Sequence, residues 1–388
     1  MRILVGNNHL DKTGGTESYT FALATILKDI GYEVEYFTFH KGLVSEKLER
    51  YGIPFMSHNY YDLILANHTS VVEHLFLHGF VIQTCHGVIP DLEQPSPFAD
   101  MYVSISEEVR THLQHLGVES DVMLNGIDCE RFAPNIPIHQ NLTCVLSLCQ
   151  SDAANNFIKE CCDSMSGGEI EFILCNKFTD NVWEIEKQIN RADLVVGIGR
   201  SLYDAMACGR CVISYDFRPY HNVAIGDGYI TKNNIYQSIA YNCSGRGLNR
   251  TFTKEEFITE LKKYNPDDGK WARSFALENL NMREAARRYI EYYDRCIMSE
   301  ILLNKLAKTR ALNTVKETSM AAQIAALEKN MADVCALHTT MNTRITVLEE
   351  NLLRINKKRK KYLKILRAIA YVTSSLVFLT IILILLTL

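Results

Sequence analysis

Residues 192–216 read ADLVVGIGRSLYDAMACGRCVISYD, and the pattern is strand, glycine turn, helix, strand. Residues 193–196 are an apolar run of strand length, and residues 197–201 read as a turn around Gly197 and Gly199. Residues 202–208 favour a helix that Gly209 stops, and residues 211–214 resume a buried strand. Such a βαβ unit aims the first N–H groups of its helix, and the positive end of the helix dipole, at the carboxyl edge of the sheet. That edge suits a phosphorylated ligand. Arg200 adds a positive charge, Ser201 belongs to the same turn, and Asp204, one turn into the helix, is placed to hold sugar hydroxyls. A βαβ unit that binds nothing has the same pattern, so the function must be sought in the rest of the chain.

Upstream, residues 1–125 alternate strand and helix patterns at short spacing. Strands are expected at 2–5, 34–39, 63–66, 80–84 and 101–104, and helices at 17–30, 43–51 and 71–77. Ser106 caps a further helix, with Glu107 and Glu108 in its first turn and Gly117 beyond its end. Residues 125–141 carry Gly126, Pro134 and Pro137 without a sustained period and read as an interdomain linker. A second alternation follows, with strands at 144–148 and 170–175, helices at 153–162 and 182–189, the central unit, and helical stretches at 255–263 and 270–294. Alternation of this kind argues for mostly parallel sheets covered by helices. Two such domains leave a cleft between the carboxyl ends of their sheets, where ligands of open α/β folds bind.

The C-terminal quarter has a different pattern. Ile324, Met331, Ile345 and Leu352 fall at heptad position a, with His338 interrupting, while Met320, Leu327, Val334, Met341, Leu348 and Ile355 fall at d. This predicts a coiled coil over 320–355 that makes the chain a homo-oligomer, with a helix folded back on the globular part as the alternative. Residues 357–361 are KKRKK, and residues 368–388 contain no charge. An uncharged stretch of about 20 residues is long enough to cross a bilayer. The basic cluster on its N-terminal side predicts a tail anchor with the preceding domains facing the cytoplasm. The sequence thus predicts an N-terminal Rossmann-like domain at 1–125 and a second at 126–295. A coiled-coil stalk at 296–356, a basic segment at 357–367 and a transmembrane helix at 368–388 are expected to follow.

The net charge of −4 gives no reason to expect nucleic-acid binding. The 12 cysteines are scattered without metal-ligand spacing and read as reduced thiols of a cytosolic compartment. Residues 1–5 form a strand with no signal peptide before it, so glycosylation patterns such as Asn67-His-Thr are expected to be idle.

Three further stretches carry chemistry. Gly14-Gly15-Thr16-Glu17 opens the first helix, where glycines let a ligand approach the backbone. His86-Gly87 ends the fourth strand, which faces His86 toward the cleft to donate a hydrogen bond to a sugar or phosphate, unless the histidine is structural. Asn125-Gly126-Ile127-Asp128, with Arg131-Phe132 and Pro134, sits at the linker. In this order, with Asp204-Ala-Met-Ala-Cys-Gly209, these stretches resemble the retaining GT-B glycosyltransferases of glycosyltransferase family 4. The resemblance covers residues 1–295. It implies a GT-B fold, two Rossmann-like domains facing a cleft, and a metal-independent transferase with no cofactor beyond its nucleotide-sugar substrate. His86, Asp204 and Arg200 would be catalytic. Gly14, Gly15, Gly197, Gly199, Arg200, Ser201 and Asp204 would bind the nucleotide sugar.

Two departures bear on the mechanism. The family has an Arg and a Lys after the first strand of the second domain, and here residues 147–154 read SLCQSDAA, with no base. The family also pairs two acidic residues; the later matches Asp204 and the earlier falls on Val196. The phosphate work then falls to Arg200 and the amides of residues 197–201, with Lys177, after the next strand, as a helper. Two expectations follow. One is a transferase on the cytoplasmic face of the inner membrane, building a polysaccharide or lipid-linked glycan. The other is a GT-B-shaped scaffold that oligomerises and recruits partner enzymes.

Overall fold

The computed structural model describes residues 1–176, 182–217 and 223–297, with scattered helical positions between 329 and 383. The chain divides into two compact units, Met1–Leu302 and Leu303–Leu388. In the first unit, β1 (Arg2–Gly6), β2 (Glu33–Phe37), β3 (Tyr61–Ala66), β4 (Gly79–Cys85), β5 (Met101–Ser104) and β6 (Asp121–Val122) form an all-parallel sheet in the order β2-β1-β3-β4-β5-β6. A second sheet contains β7 (Cys144–Ser147), β8 (Glu171–Leu174), β9 (Leu194–Gly197), β10 (Cys211–Phe217) and β11 (Ala224–Tyr229) in the order β11-β10-β9-β7-β8, with only β11 antiparallel. The helices between strands are α1 (Gly15–Asp29), α2 (Leu43–Arg50), α3 (Thr69–Leu75), α4 (Glu107–His115), α5 (Asp152–Ser166), α6 (Ile185–Arg191) and α7 (Arg200–Ala207). Four more, α8 (Ile235–Ile239), α9 (Lys254–Leu261), α10 (Pro266–Asn279) and α11 (Met282–Ile297), follow the second sheet.

The apolar runs form strands buried on both faces: Ile3, Leu4 and Val5 are fully buried, as are Leu194, Val195 and Val196. Each sheet reverses direction beside its first strand, between β1 and β3 and between β7 and β9. Loops at such switch points splay apart and leave a crevice.

Three features differ from the sequence expectation. The helix expected at 270–294 is broken at Leu280–Asn281. There the backbone bonds are diverted to the linker: Ile127 N donates to Leu280 O at 2.6 Å, and Met282 N donates to Ile127 O at 2.9 Å. Beyond the break α11 packs Met282, Ala286 and Tyr289 into the core beneath the first sheet, although the range 126–295 was expected to belong to the second domain. Tyr289 Oη lies 2.8 Å from Tyr19 Oη and 2.5 Å from Thr84 Oγ1 inside that core. Finally, α7 begins at Arg200 rather than 202, because Gly199 takes a left-handed turn (φ 58°) that starts the helix at once.

The predicted basic segment and Lys177 lie outside the described residues, as does most of the predicted coiled coil and membrane anchor, of which only scattered helical positions are described. Among the described residues, no helix is long and apolar enough to cross a membrane.

Candidate active site

The two sheets face a cleft of about 710 Å³. From the first sheet it is lined by His9, Lys12, Gly14, Gly15, Glu17, His68, His86, Gly87 and Glu93, and from the second by Gln150, Ile198, Gly199, Arg200, Ser201, Asp204, Asn242 and Arg246. Asn125 and Arg131 line it from the linker. Of the residues expected to be catalytic or to bind the nucleotide sugar, only Gly197 is not in the lining. A Cβ there would lie 3.3 Å from Ser201 Cβ and 3.5 Å from Leu148 Cβ, so Gly197 lets α7 pack close to the end of β7.

The first-sheet wall is a closed hydrogen-bond network. Thr20 Oγ1 donates to Thr16 O at 2.7 Å and accepts from Asn7 Nδ2 and Asn67 Nδ2, both at 2.8 Å. With its amide nitrogen so engaged, Asn67 turns Oδ1 toward His86 Nε2, 3.0 Å away. That assigns the proton to Nε2 and leaves Nδ1 as an acceptor. Burial, with His68 and Arg200 nearby, pushes the His86 pKa down to about 3, so the ring is neutral. Toward a ligand, His86 therefore accepts rather than donates, a correction to its expected role. Burial and neighbouring His9 push His68 down to about 4, and its Nδ1 accepts from the Asn8 amide. Gly14 is the extended N-cap of α1, and a Cβ there would collide with Glu17 Oε2 at 2.0 Å. A Cβ on Gly15 would meet nothing within 4 Å, leaving room for close approach of a ligand. Glu93, on the loop after β4, is pushed up to about 7 by burial and by Glu17.

The second-sheet wall is different. Arg200 is buried at the start of α7, and its Nη1 donates inward to Gly126 O at 2.7 Å. Its Nε stands 3.8 Å from Asp204 Oδ1. Burial pushes the Asp204 carboxyl up to about 6, and Arg200 opposes that rise. The Gly199 amide is used by Cys243 O at 3.1 Å. Of the turn amides expected to bind phosphate, those of Arg200 and Ser201, in the first turn of α7, remain.

Eight buried side-chain polar atoms lack a hydrogen-bond partner among the described residues. Five of them belong to cleft-lining residues: Asn125 Oδ1, Gln150 Oε1, Arg200 Nε, Asp204 Oδ1 and Asn242 Oδ1. Buried polar atoms are nearly always satisfied, so a cluster of exceptions in one cleft marks the place where a polar ligand belongs. Gln150, Asn242 and Arg246 were not among the residues singled out in the sequence. The first occupies the place where bases were expected, and the other two lie in a loop with no local motif.

No family model matches the chain, and no curated protein is significantly similar to it. Solved structures are similar to it. The Anabaena HepE structure, determined with UDP and glucose, superposes with a TM-score of 0.53 at 14% identity over 76% of this chain and 100% of that one. An α-glucosyltransferase bound to UDP and a 13-mer DNA gives 0.49 at 10% identity, covering 76% of this chain and 99% of that one. The sucrose-phosphate synthase of Thermosynechococcus elongatus gives 0.47 at 13% identity, covering 76% and 98%. The likeness to HepE establishes the fold: residues 1–297 contain the two facing α/β domains of the GT-B architecture.

Proposed function

We propose that the protein is a nucleotide-sugar-dependent glycosyltransferase of the retaining, family 4-like kind. The convergence of unpartnered buried polar atoms on the cleft carries this reading. Asp204 Oδ1, Gln150 Oε1 and the amide oxygens of Asn125 and Asn242 call for a ligand rich in hydroxyl donors, as a sugar is. The open amides of the α7 N-terminus, with Arg200 behind them, stabilise negative charge as the nucleoside diphosphate departs. Neutral His86 and the Glu17–Glu93 side of the first wall accept hydrogen bonds from the sugar or its acceptor. The reaction breaks the bond between the anomeric carbon and the phosphate oxygen and forms one to an acceptor hydroxyl. In this proposal no metal or other cofactor takes part.

The uncharged C-terminal stretch and its basic flank support a further part of the proposal. The enzyme is anchored in the inner membrane with its cleft in the cytoplasm, and its acceptor is a growing polysaccharide or lipid-linked glycan. Residues 320–355 hold copies together. The test is to incubate the full-length protein in detergent micelles with UDP-, GDP-, ADP- and CMP-sugars and measure release of the nucleotide. Turnover of one donor, abolished in Asp204→Asn, is the expected result. No turnover and no saturable nucleotide binding would overturn the proposal. The competing reading, a scaffold without transfer, draws on neutral Gln150 at the end of β7, and that second outcome would favour it.

A further inference from the structure

The loop after α8 is built to carry one arginine into the cleft. Ser238 Oγ donates to one carboxylate oxygen of buried Asp227, and the Leu248 amide donates to the other at 2.7 Å, so one aspartate ties both ends of the loop. Gly245, at φ 84°, lies against β11, where a Cβ would come within 3.0 Å of Gly226 Cα. Asn242 and Cys243 are held at φ 54° and 47°, a region that non-glycine residues enter only when their surroundings impose it. Cys243 O accepts from the Gly199 amide and, at 3.2 Å, from Ser214 Oγ, so the loop is pinned against the start of α7. From there Asn242, Ser244 and Arg246 line the cleft.

Arg246 reaches the opposite wall. Its Nε and Nη2 donate to the two oxygens of Glu108 at 2.7 and 2.5 Å, and the Glu108 amide donates to Ala240 O at 2.9 Å. Glu108 sits in the first turn of α4, where the helix dipole favours an anion. The guanidinium fork is thus loaded with a two-oxygen anion, the geometry in which arginine also takes phosphate. The cleft's other arginines are held elsewhere: Arg131 by Glu186 and Trp183 O, Arg200 by Gly126 O. At the end of β7 stands neutral Gln150.

We infer that Arg246 is the residue that grips the donor diphosphate, and that Glu108 is the anion it exchanges for it. The inference rests on the cleft being a nucleotide-sugar site. A diphosphate brings more charge and more acceptor oxygens than one carboxylate, so it can win the fork. Donor binding then releases a tie between the two walls.

The experiment is calorimetric titration of the full-length protein with UDP, GDP and ADP at low salt. It compares wild type, Glu108→Gln, Arg246→Gln and Arg246→Lys, with thermal unfolding of each to confirm the fold. Glu108→Gln should tighten binding of the nucleotide the wild type takes by about threefold to tenfold. Arg246→Gln should weaken it by about tenfold or more, as loss of a bidentate charged contact predicts. Arg246→Lys, which keeps the charge but not the fork, should fall between. If both Glu108→Gln and Arg246→Gln weaken binding, the pair is a structural tie and the inference fails. It fails as well if neither changes binding while the wild type binds. A wild type that binds none of the three nucleotides brings down the reading of the cleft as a nucleoside diphosphate-sugar site, on which the inference rests.

Discussion

The two walls of the cleft are made from the same strand–loop–helix unit and end in opposite states. On the first, Thr20, Asn7, Asn67 and His86 are joined in one hydrogen-bond network that leaves only His86 Nδ1 open toward the cleft. On the second, Arg200 Nε, Asp204 Oδ1, Gln150 Oε1 and Asn242 Oδ1 are buried without hydrogen-bond partners. A satisfied network fixes the shape of a wall before anything binds. An unsatisfied one lowers stability until a ligand supplies the missing bonds, and so is expected where the ligand is gripped. The comparison assigns shape to the first wall and binding energy to the second.

The sharpest way to break this comparison is to separate the Arg200–Asp204 pair. Arg200→Met should cost about 3 kcal/mol at pH 8, because it leaves the buried carboxylate without its countercharge and Gly126 O without its donor. The loss should shrink at pH 5, where Asp204 takes up a proton. Denaturant unfolding at the two pH values reads this directly, and a pH-independent cost would mean that Asp204 is not charged in the fold.

The reciprocal change should act with the opposite sign. The Asp204 pKa is raised by folding to about 6, so its carboxyl favours the folded state at low pH and that advantage is lost as pH rises through 6. Asp204→Asn removes the buried charge. It should therefore gain about 1–3 kcal/mol at pH 8 while abolishing turnover, and the gain should vanish near pH 4. A destabilised variant at pH 8 would show that the second wall is not strained.

On the first wall, His86→Ala leaves Asn67 Oδ1 without its donor and should cost about 1–2 kcal/mol. His86→Gln, which can donate, should recover part of that. Since His86 is neutral in the fold, the cost should be the same at pH 7 and pH 9. The smallest effect is expected from Gln150→Arg. Restoring a base at the end of β7 should tighten nucleoside diphosphate binding by about 1 kcal/mol, less at high salt, in titrations at 50 and 300 mM salt. No change would place the diphosphate away from β7.

Much of this arrangement can be read along the chain. Apolar runs of four or five residues ended by glycines located most of the strands and helices in the first unit, because periodicity and chain punctuation are local properties. His86, Arg200 and Asp204 could be singled out because they lie at the end of a strand or in the first turns of a helix whose position in a doubly wound sheet is known in advance. Other features are non-local. The break at Leu280 depends on Ile127, more than 150 residues earlier, competing for the helix's backbone bonds. Asn242, Ser244 and Arg246 belong to a loop without a motif, which Asp227, Gly245 and the bonds to Cys243 O hold beside α7.

The sequence by itself determined that two α/β domains alternate strand and helix, where their switch-point loops lie, and which side chains those loops carry. These follow from hydrophobic period, glycine placement and capping, all set within a few residues. Only the tertiary structure decided how each side chain is used. Arg200 turns inward to Gly126, His86 gives its proton to Asn67, Arg246 spans the cleft to Glu108, and α11 returns to the first core. Each of those outcomes depends on partners distant in sequence, since hydrogen bonding and charge are settled by what folding brings within about 3 Å.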